Sequence, residues 1–216
     1  MLPTSRAVLA ALSAGKNGAW GNWELGRYDR GSDRVWSMWR ETAARALSTK
    51  NAKTAMWAIR EKIALLRTVS DDRLPHHVAA AIAECCWWIV SLNDLIEREL
   101  SESEKQHYRR QRGENPNGLC VVGAIWARNR QSHQLVVDVH EGDERSFASL
   151  GTEYVVFISK SLRWKRVDGM ALRPKELEQG RWAQSAYESH FQERGVVAPL
   201  EAAEAWFRGM VAAEPG

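Results

Sequence analysis

The stretch PHHVAAAIAECCWWIVSLNDLIEREL, residues 75–100, decides the fold class of this chain. Its apolar residues recur at three- and four-residue steps, the spacing that places side chains on one face of an α-helix. They are Val78, Ala81, Ile82, Cys85, Ile89, Leu92, Leu95 and Ile96. Around Cys85 to Val90 almost the whole circumference is apolar, which predicts a helix at the centre of a bundle.

Periodic segments on both sides of this stretch predict further helices. A helix beginning at Asp33 is followed by a second periodic run over 52–66. The pause at 48–51 leaves open whether these are two helices or one long bent helix. After the central stretch, Ser-Glu-Ser-Glu at 101–104 has the capping-box pattern that starts a helix. Residues 113–118, which include a proline, end this short basic helix.

The last third of the chain predicts a small β element between helices. We expect a helix from Leu119 to about Val139 and then a loop over 141–151. β-Branched and aromatic residues at 154–158 predict a strand, which pairs with 163–167 in a short hairpin.

Two final helices begin at Pro174 and Pro199, with Gly195 as the C-cap between them. The expected fold is mainly α, a helical bundle with a small β-hairpin and C-terminal helices. Its parts are an irregular N-terminal segment (1–32), a helical bundle (33–139), and a hairpin and helical extension packed on the same domain (140–216).

Composition favours a cytoplasmic globular protein without metal or cofactor. The chain has 216 residues, 44% of them hydrophobic, and a net charge of +3 that by itself does not indicate nucleic-acid binding. Its three cysteines lack metal-ligand spacing and predict buried, reduced thiols. No run of about 18 uninterrupted apolar residues occurs, so we expect no membrane-spanning helix.

Eleven tryptophans are the unusual feature of the composition. Large aromatic side chains usually belong to the core. The alternative is a platform on which nucleic-acid bases stack, which requires exposed rings on a basic face. A cluster of Arg163, Trp164, Lys165 and Arg166 fits either nucleic-acid contact or a strand edge protected by charge.

The polar segment Arg128-Asn129-Arg130-Gln131-Ser132-His133 follows the apolar start of the helix predicted from Leu119. It resembles the R-[N/D/H]-x(3–5)-H motif of the HEPN superfamily, and the resemblance covers roughly Asp33 to Val139. It implies a helical bundle with the motif on a late helix. Many HEPN proteins are metal-independent ribonucleases that act as dimers in toxin–antitoxin, abortive-infection and CRISPR-linked defence.

The resemblance implies that Arg128, Asn129 and His133 are catalytic. A histidine titrates near neutral pH and can take a proton from a 2′-hydroxyl or give one to the leaving 5′-oxygen. A guanidinium stabilises the charge that develops on the phosphate oxygens. The asparagine amide can orient the phosphate or the imidazole. Leu135 stands where one HEPN subgroup has a tyrosine that receives a nucleotide, so regulation by that route is not expected.

The spacing of the motif favours a site between two copies of the chain. Five residues on a helix separate Arg128 and His133 by roughly 140°. Two motif helices facing each other across a two-fold axis would bring both residue types into one cleft. The apolar face beside His133, formed by Leu119, Val122 and Trp126, is then expected to contribute to the dimer contact.

The expected partners are an RNA substrate, a second copy of the chain and an antitoxin protein, and no membrane. We expect the basic side chains near the motif to contact RNA. They are Arg109, Arg110, Arg112 and Arg130. Two other functions stay open at this point: a non-catalytic helical module that binds RNA or protein, and a purely structural interaction protein.

Overall fold

The computed structural model describes residues 32–68, 76–134, 137–150, 153–170 and 181–211. The chain divides into two compact units, Met1–Ser32 and Asp33–Gly216. Apart from Ser32, the described residues all belong to the second unit. The irregular segment expected over 1–32 and the helix start expected at Pro174 lie outside the described residues.

The described residues form seven α-helices and one two-stranded sheet, so the expected fold class, mainly α with a small hairpin, is confirmed. The helices are α1 Ser32–Ser48, α2 Lys50–Thr68, α3 His76–Glu99, α4 Glu102–Glu114, α5 Pro116–Gln134, α6 Arg181–His190 and α7 Val197–Val211. The strands are β1 Val139–Leu150 and β2 Glu153–Trp164, followed by a short 3₁₀ turn at Val167–Gly169.

Local sequence signals set the starts of two helices. Thr49 separates α1 from α2 and its hydroxyl accepts a hydrogen bond from the amide of Ala52 at 3.3 Å, so the two periodic runs are two helices. The capping box is confirmed. The Ser101 hydroxyl accepts from the Glu104 amide at 3.4 Å, while the Glu104 carboxylate accepts from the Ser101 amide at 2.9 Å.

Helix α5 has the most neighbours in the bundle, since it packs against α3, α4, α6 and α7. Helix α3, expected at the centre, packs mainly on α2 and α5. Small residues explain the position of α5. A Cβ atom on Gly123 would lie 2.6 Å from the ring of Phe191, and one on Gly118 would lie 2.3 Å from the carbonyl oxygen of Arg112. The periodicity of apolar residues does not reveal such close approach, because glycine carries no side chain.

The hairpin forms in a different register from the one predicted. Strand β1 pairs antiparallel with β2 from Val139↔Trp164 to Leu150↔Glu153, so the predicted loop over 141–151 is wrong. The two predicted strands, 154–158 and 163–167, do not pair with each other, because both fall in β2 or just after it. Residues 139–145 are mostly polar or charged, and backbone pairing with β2 stabilises a strand there that side-chain pattern does not indicate.

The base of the hairpin is anchored to the helices by Trp164. Its ring is fully buried against Phe191 at 5.0 Å, and its indole nitrogen donates to the carbonyl of Val196 at 3.2 Å. The connection from α6 to α7 turns at Glu193, whose φ of 60° is left-handed. Gly195 lies five residues after the end of α6 and pairs with Arg163 in a single β-bridge, so its predicted role as the C-cap is wrong.

Helix α3 is long and apolar enough, by length and composition alone, to cross a bilayer. Half of its apolar window is buried inside the protein. Helices in protein cores meet the same criterion, so length and composition do not distinguish the two roles.

Candidate functional site

The motif segment occupies the last two turns of α5. Asn129 and Ser132 are exposed, and the Ser132 hydroxyl donates to the Arg128 carbonyl at 2.9 Å. The backbone of His133 is helical, whereas its side chain lies outside the described part of the protein. Position 133 is about 40° around the helix axis from Asn129. The relation of the imidazole to Arg128 therefore stays a prediction.

Arg128 reaches the surface and has a loose ionic partner. Its Nη2 lies 4.0 Å from Oδ2 of Asp94 on α3, and the two side chains are 29% and 58% exposed. Ion pairs of this kind are worth about 0–1 kcal/mol because water and salt screen them. A phosphate could therefore displace Asp94 at small cost. The Nε atom is buried and forms no hydrogen bond within the described residues, so the contact with phosphate would use the terminal nitrogens.

Arg130 lies on the opposite side of α5 from Arg128 and is a structural residue. Its side chain is 3% exposed and its Nε lies 2.6 Å from Oδ2 of Asp138, just before β1. The guanidinium also lies 5.2 Å from the centre of the Trp126 ring. This ion pair joins the end of α5 to the start of the hairpin. The prediction that Arg130 contacts RNA is incompatible with its burial.

Arg112 is the second buried arginine, and its side chain is 4% exposed. Its Nη1 donates to Oε1 of Glu97 at 2.9 Å and also to the Asn93 side chain. The guanidinium lies 5.3 Å from the Tyr108 ring and 5.8 Å from the Trp182 ring. These contacts join α3, α4 and α6. The prediction that Arg112 contacts RNA is therefore also incompatible with the structure.

Arg109 and Arg110 remain at the surface of α4. Arg109 donates to Oε2 of Glu97 through Nε at 3.0 Å and Nη2 at 2.6 Å. Arg110 lies 4.0 Å from Glu114. Burial opposes ionisation of Glu97, but the Arg109 hydrogen bond and the Arg112 charge together outweigh it and lower the pKa of Glu97. Contact of Arg109 and Arg110 with RNA stays a prediction.

The apolar face of α5 is used inside the protein. Val122 is fully buried, and the Trp126 ring lies 4.4 Å from the ring of Tyr187 on α6. The expectation that these two residues contribute to a dimer contact is wrong, because both side chains are already buried within one protomer. The hypothesis of a dimer at the motif therefore has to rely on the exposed end of α5, near Asn129 and Ser132.

The described tryptophans include both buried and exposed rings. Trp39, Trp126 and Trp164 are core residues, so Trp164 is not a stacking platform. Trp57, Trp87 and Trp182 are exposed large side chains.

Trp57 lines a groove of about 440 Å³ with Ser48, Lys50, Lys53 and Thr54. No sequence motif points to this groove. The spacing of Lys50, Lys53, Thr54 and Trp57 on one helical face was its only signal.

The cysteines are buried and form no disulfide, as predicted for Cys85, Cys86 and Cys120. Burial raises the pKa of the Cys86 thiol to about 12 and that of Cys120 to about 11, so neither is a reactive thiolate at neutral pH. Across the described ranges, His, Cys, Asp and Glu side chains form no cluster of three or more that could hold a metal ion.

No protein-family model, curated protein or solved structure matches this chain.

Proposed function

We propose that this protein is a metal-independent endoribonuclease of a cytoplasmic defence or toxin–antitoxin system. Arg128, Asn129 and His133 are its catalytic residues, as the HEPN-like motif implies. The observation that supports this proposal is the exposure of Asn129 and the partial exposure of Arg128 near the end of α5. Asn129 is open to solvent, and Arg128 reaches the surface with only a weakly held carboxylate beside it.

The proposed reaction transfers a phosphoryl group within the RNA strand. His133 takes the proton of a 2′-hydroxyl, and the 2′-oxygen attacks the adjacent phosphorus. The bond from phosphorus to the 5′-oxygen breaks, and an imidazolium gives that oxygen a proton. The products are a 2′,3′-cyclic phosphate and a 5′-hydroxyl. Arg128 stabilises the negative charge on the non-bridging oxygens, and Asn129 orients the phosphate.

Two copies of His133, one from each protomer, would supply the base and the acid together. In this arrangement the protomers meet through the exposed end of α5 and not through its apolar face. The two-fold axis then brings each Arg128 close to the His133 of the partner. An antitoxin protein would act by covering this cleft.

The test is cleavage of single-stranded RNA in the presence of EDTA. We expect the wild-type chain to cleave, and His133→Ala to slow cleavage by about a hundred- to ten-thousand-fold, the usual contribution of a general acid–base group. His77→Ala is the matched control, because His77 is an exposed histidine on α3, outside the proposed site. Circular dichroism and light scattering would show that each variant keeps its helices and its oligomeric state.

Two results would contradict the proposal: no cleavage by the wild-type chain, or equal cleavage by His133→Ala. A non-catalytic RNA-binding module is the second candidate. The groove beside Trp57 favours it, since a basic groove with an exposed indole can bind RNA without cutting it.

A further inference from the structure

Trp57 is the most exposed large hydrophobic side chain in the described part of the chain, at 62%. It lies in the middle of α2, where its ring borders a shallow groove at the turn from α1. Most other described residues of the groove are polar or cationic. An indole left in water beside such residues can gain free energy by covering its face with a flat, polar-edged ring.

The two lysines in the groove differ from every other basic residue of α2. Arg60 pairs with Glu204 at 2.8 Å, Lys62 pairs with Glu84 at 2.6 Å, and Arg67 pairs with Glu201. Lys50 and Lys53 form no ion pair with any described residue, although carboxylates hold each of their three counterparts.

Helical spacing places the two lysines on the same side of Trp57. Lys53 is one turn and Lys50 two turns before the indole, so the row extends about 10 Å along the helix axis. The one acidic residue of α2, Glu61, lies one turn beyond Trp57, at the end away from the lysines. The groove therefore presents two positive charges followed by an aromatic face.

We propose that this groove binds single-stranded RNA. One unpaired base stacks on Trp57, and the phosphates that precede or follow it lie against Lys50 and Lys53. The hydroxyls of Thr54 and Ser48 line the same groove. Each donates to a backbone carbonyl of its own helix, so each can accept a hydrogen bond from a ribose hydroxyl. Stacking requires an unpaired base, so duplex RNA does not fit this site. The site is separate from Arg128–His133, and only the choice of RNA over DNA rests on the proposed function.

The charge of the groove favours RNA over a protein helix as its occupant. A docked amphipathic helix needs a continuous apolar surface, with anchors about one turn apart. Here a single aromatic ring stands beside two ammonium groups and two hydroxyls. This combination of one stacking ring and a positive track is what single-stranded nucleic acid binds.

The test measures anisotropy of a short fluorescein-labelled single-stranded RNA with the full chain carrying His133→Ala. This background keeps the RNA intact, so failure of the cleavage hypothesis cannot be confused with failure of this one. We expect Trp57→Ala to weaken binding by about five- to a hundred-fold. Trp57→Phe should restore most of that loss, because phenylalanine also offers a ring face.

The lysines have a separate signature. Replacing Lys50 and Lys53 together by Gln should reduce the slope of log K against log salt by about 1.4, since each phosphate contact on a single strand contributes about 0.7. Trp57→Ala should weaken binding with the slope unchanged. A change in slope from the aromatic variant, or none from the lysine variant, would overturn the assigned roles.

Trp87→Ala is the matched aromatic control. Trp87 is also exposed, at 51%, but it lies on α3, away from the groove residues of α2. Its ring packs edge-on against that of its neighbour Trp88, with 4.9 Å between the ring centres. We expect Trp87→Ala, added to the His133→Ala chain, to bind the RNA as tightly as the His133→Ala chain alone. The proposal is overturned if Trp57→Ala binds as tightly as the parent, if Trp87→Ala loses as much, or if duplex RNA binds equally well. Equal binding of single-stranded DNA would overturn the assignment to RNA.

Discussion

Two arginines of α4 contact the same carboxylate from opposite environments. Arg109 donates to one oxygen of Glu97 while its own side chain is 54% exposed. Arg112, three residues later, donates to the other oxygen and is almost completely buried. Helix α5 repeats the contrast: Arg128 pairs loosely with exposed Asp94, whereas Arg130 pairs with Asp138 in the interior.

This difference indicates which arginines are able to bind a ligand. A buried guanidinium has already lost its water, so its neighbours must satisfy it and removal leaves them unpaired. A surface guanidinium can exchange its partner for a phosphate at little cost. Only Arg109, Arg110 and Arg128 of the predicted RNA-binding and catalytic arginines meet the second condition.

Arg112→Ala should have the largest effect on stability. The change removes the Arg112 donor from Glu97 and Asn93 and a cation from the rings of Tyr108 and Trp182. Among the described residues, Glu97 keeps only its surface donor Arg109 and the Asn93 amide, and Asn93 keeps the Tyr108 hydroxyl. We expect the free energy of unfolding to fall by about 3–5 kcal/mol, the range for breaking a buried ion pair. Arg109→Ala, which touches the same carboxylate from the surface, should cost at most about 1 kcal/mol. Urea denaturation measures the stability of both variants. Equal losses of stability would contradict the distinction between the buried and the exposed arginine.

Arg130→Ala should have the next largest effect, about 3 kcal/mol, because it leaves the Asp138 carboxylate unpaired inside the protein. The loss should concentrate where α5 meets the hairpin. Hydrogen exchange should therefore quicken at Val139 and Lys165 more than in α3. The double change Arg130→Met with Asp138→Leu should lose less than the single one, since no buried charge remains. A uniform increase in exchange would contradict this local role.

Lowering the pH should reduce the free energy of unfolding by a smaller amount, through protonation of the Glu97 carboxylate that Arg109 and Arg112 share. The pKa of Glu97 is lower in the folded protein than in the unfolded chain, so its ionised form stabilises the fold above the ordinary glutamate value of about 4.3. That stabilisation is lost as pH falls through the lowered folded pKa. Glu97→Gln should therefore make the free energy of unfolding less dependent on pH below about 4.3.

Arg109→Ala sharpens the same measurement. Without its hydrogen bond the folded pKa of Glu97 rises toward the ordinary value, and the pH-dependent part of the stability shrinks. Glu102, Glu104 and Asp168 also have lowered pKa values and contribute to the pH dependence of stability. Subtracting the stability curve of Glu97→Gln from that of the wild-type protein therefore gives the contribution of Glu97 alone. If the free energy of unfolding of Glu97→Gln fell in acid as steeply as that of the wild-type protein, Arg109 and Arg112 would not be holding this carboxylate ionised.

The helices could be predicted well where one face is apolar. The starts of α1, α3 and α4 fall within one residue of their predicted positions, because periodicity and caps act over one or two turns. Strand β1 could not be predicted, since its polar residues carry no alternating pattern and its partner is distant in sequence. The predicted end of α5, at about Val139, is wrong for the same reason, because Val139 already belongs to the sheet.

The candidate site was predictable as a segment, but not as a set of side chains in space. The row Arg128, Asn129 and Arg130 reads as uniformly polar, and only packing sends Arg130 to Asp138 and Arg128 to Asp94. The groove at Trp57 is likewise hidden among eleven tryptophans, because the sequence does not show which rings distant helices cover, as α4 and α6 cover Trp39 and Trp126.

Sequence by itself determined the helical architecture, the capping box at Ser101 and the location of the motif on α5, because these depend on residues within a few positions of one another. The tertiary structure decided which arginines are structural, which tryptophans face water and where the hairpin pairs. Those outcomes depend on desolvation, which each side chain experiences only when elements distant in the chain close around it.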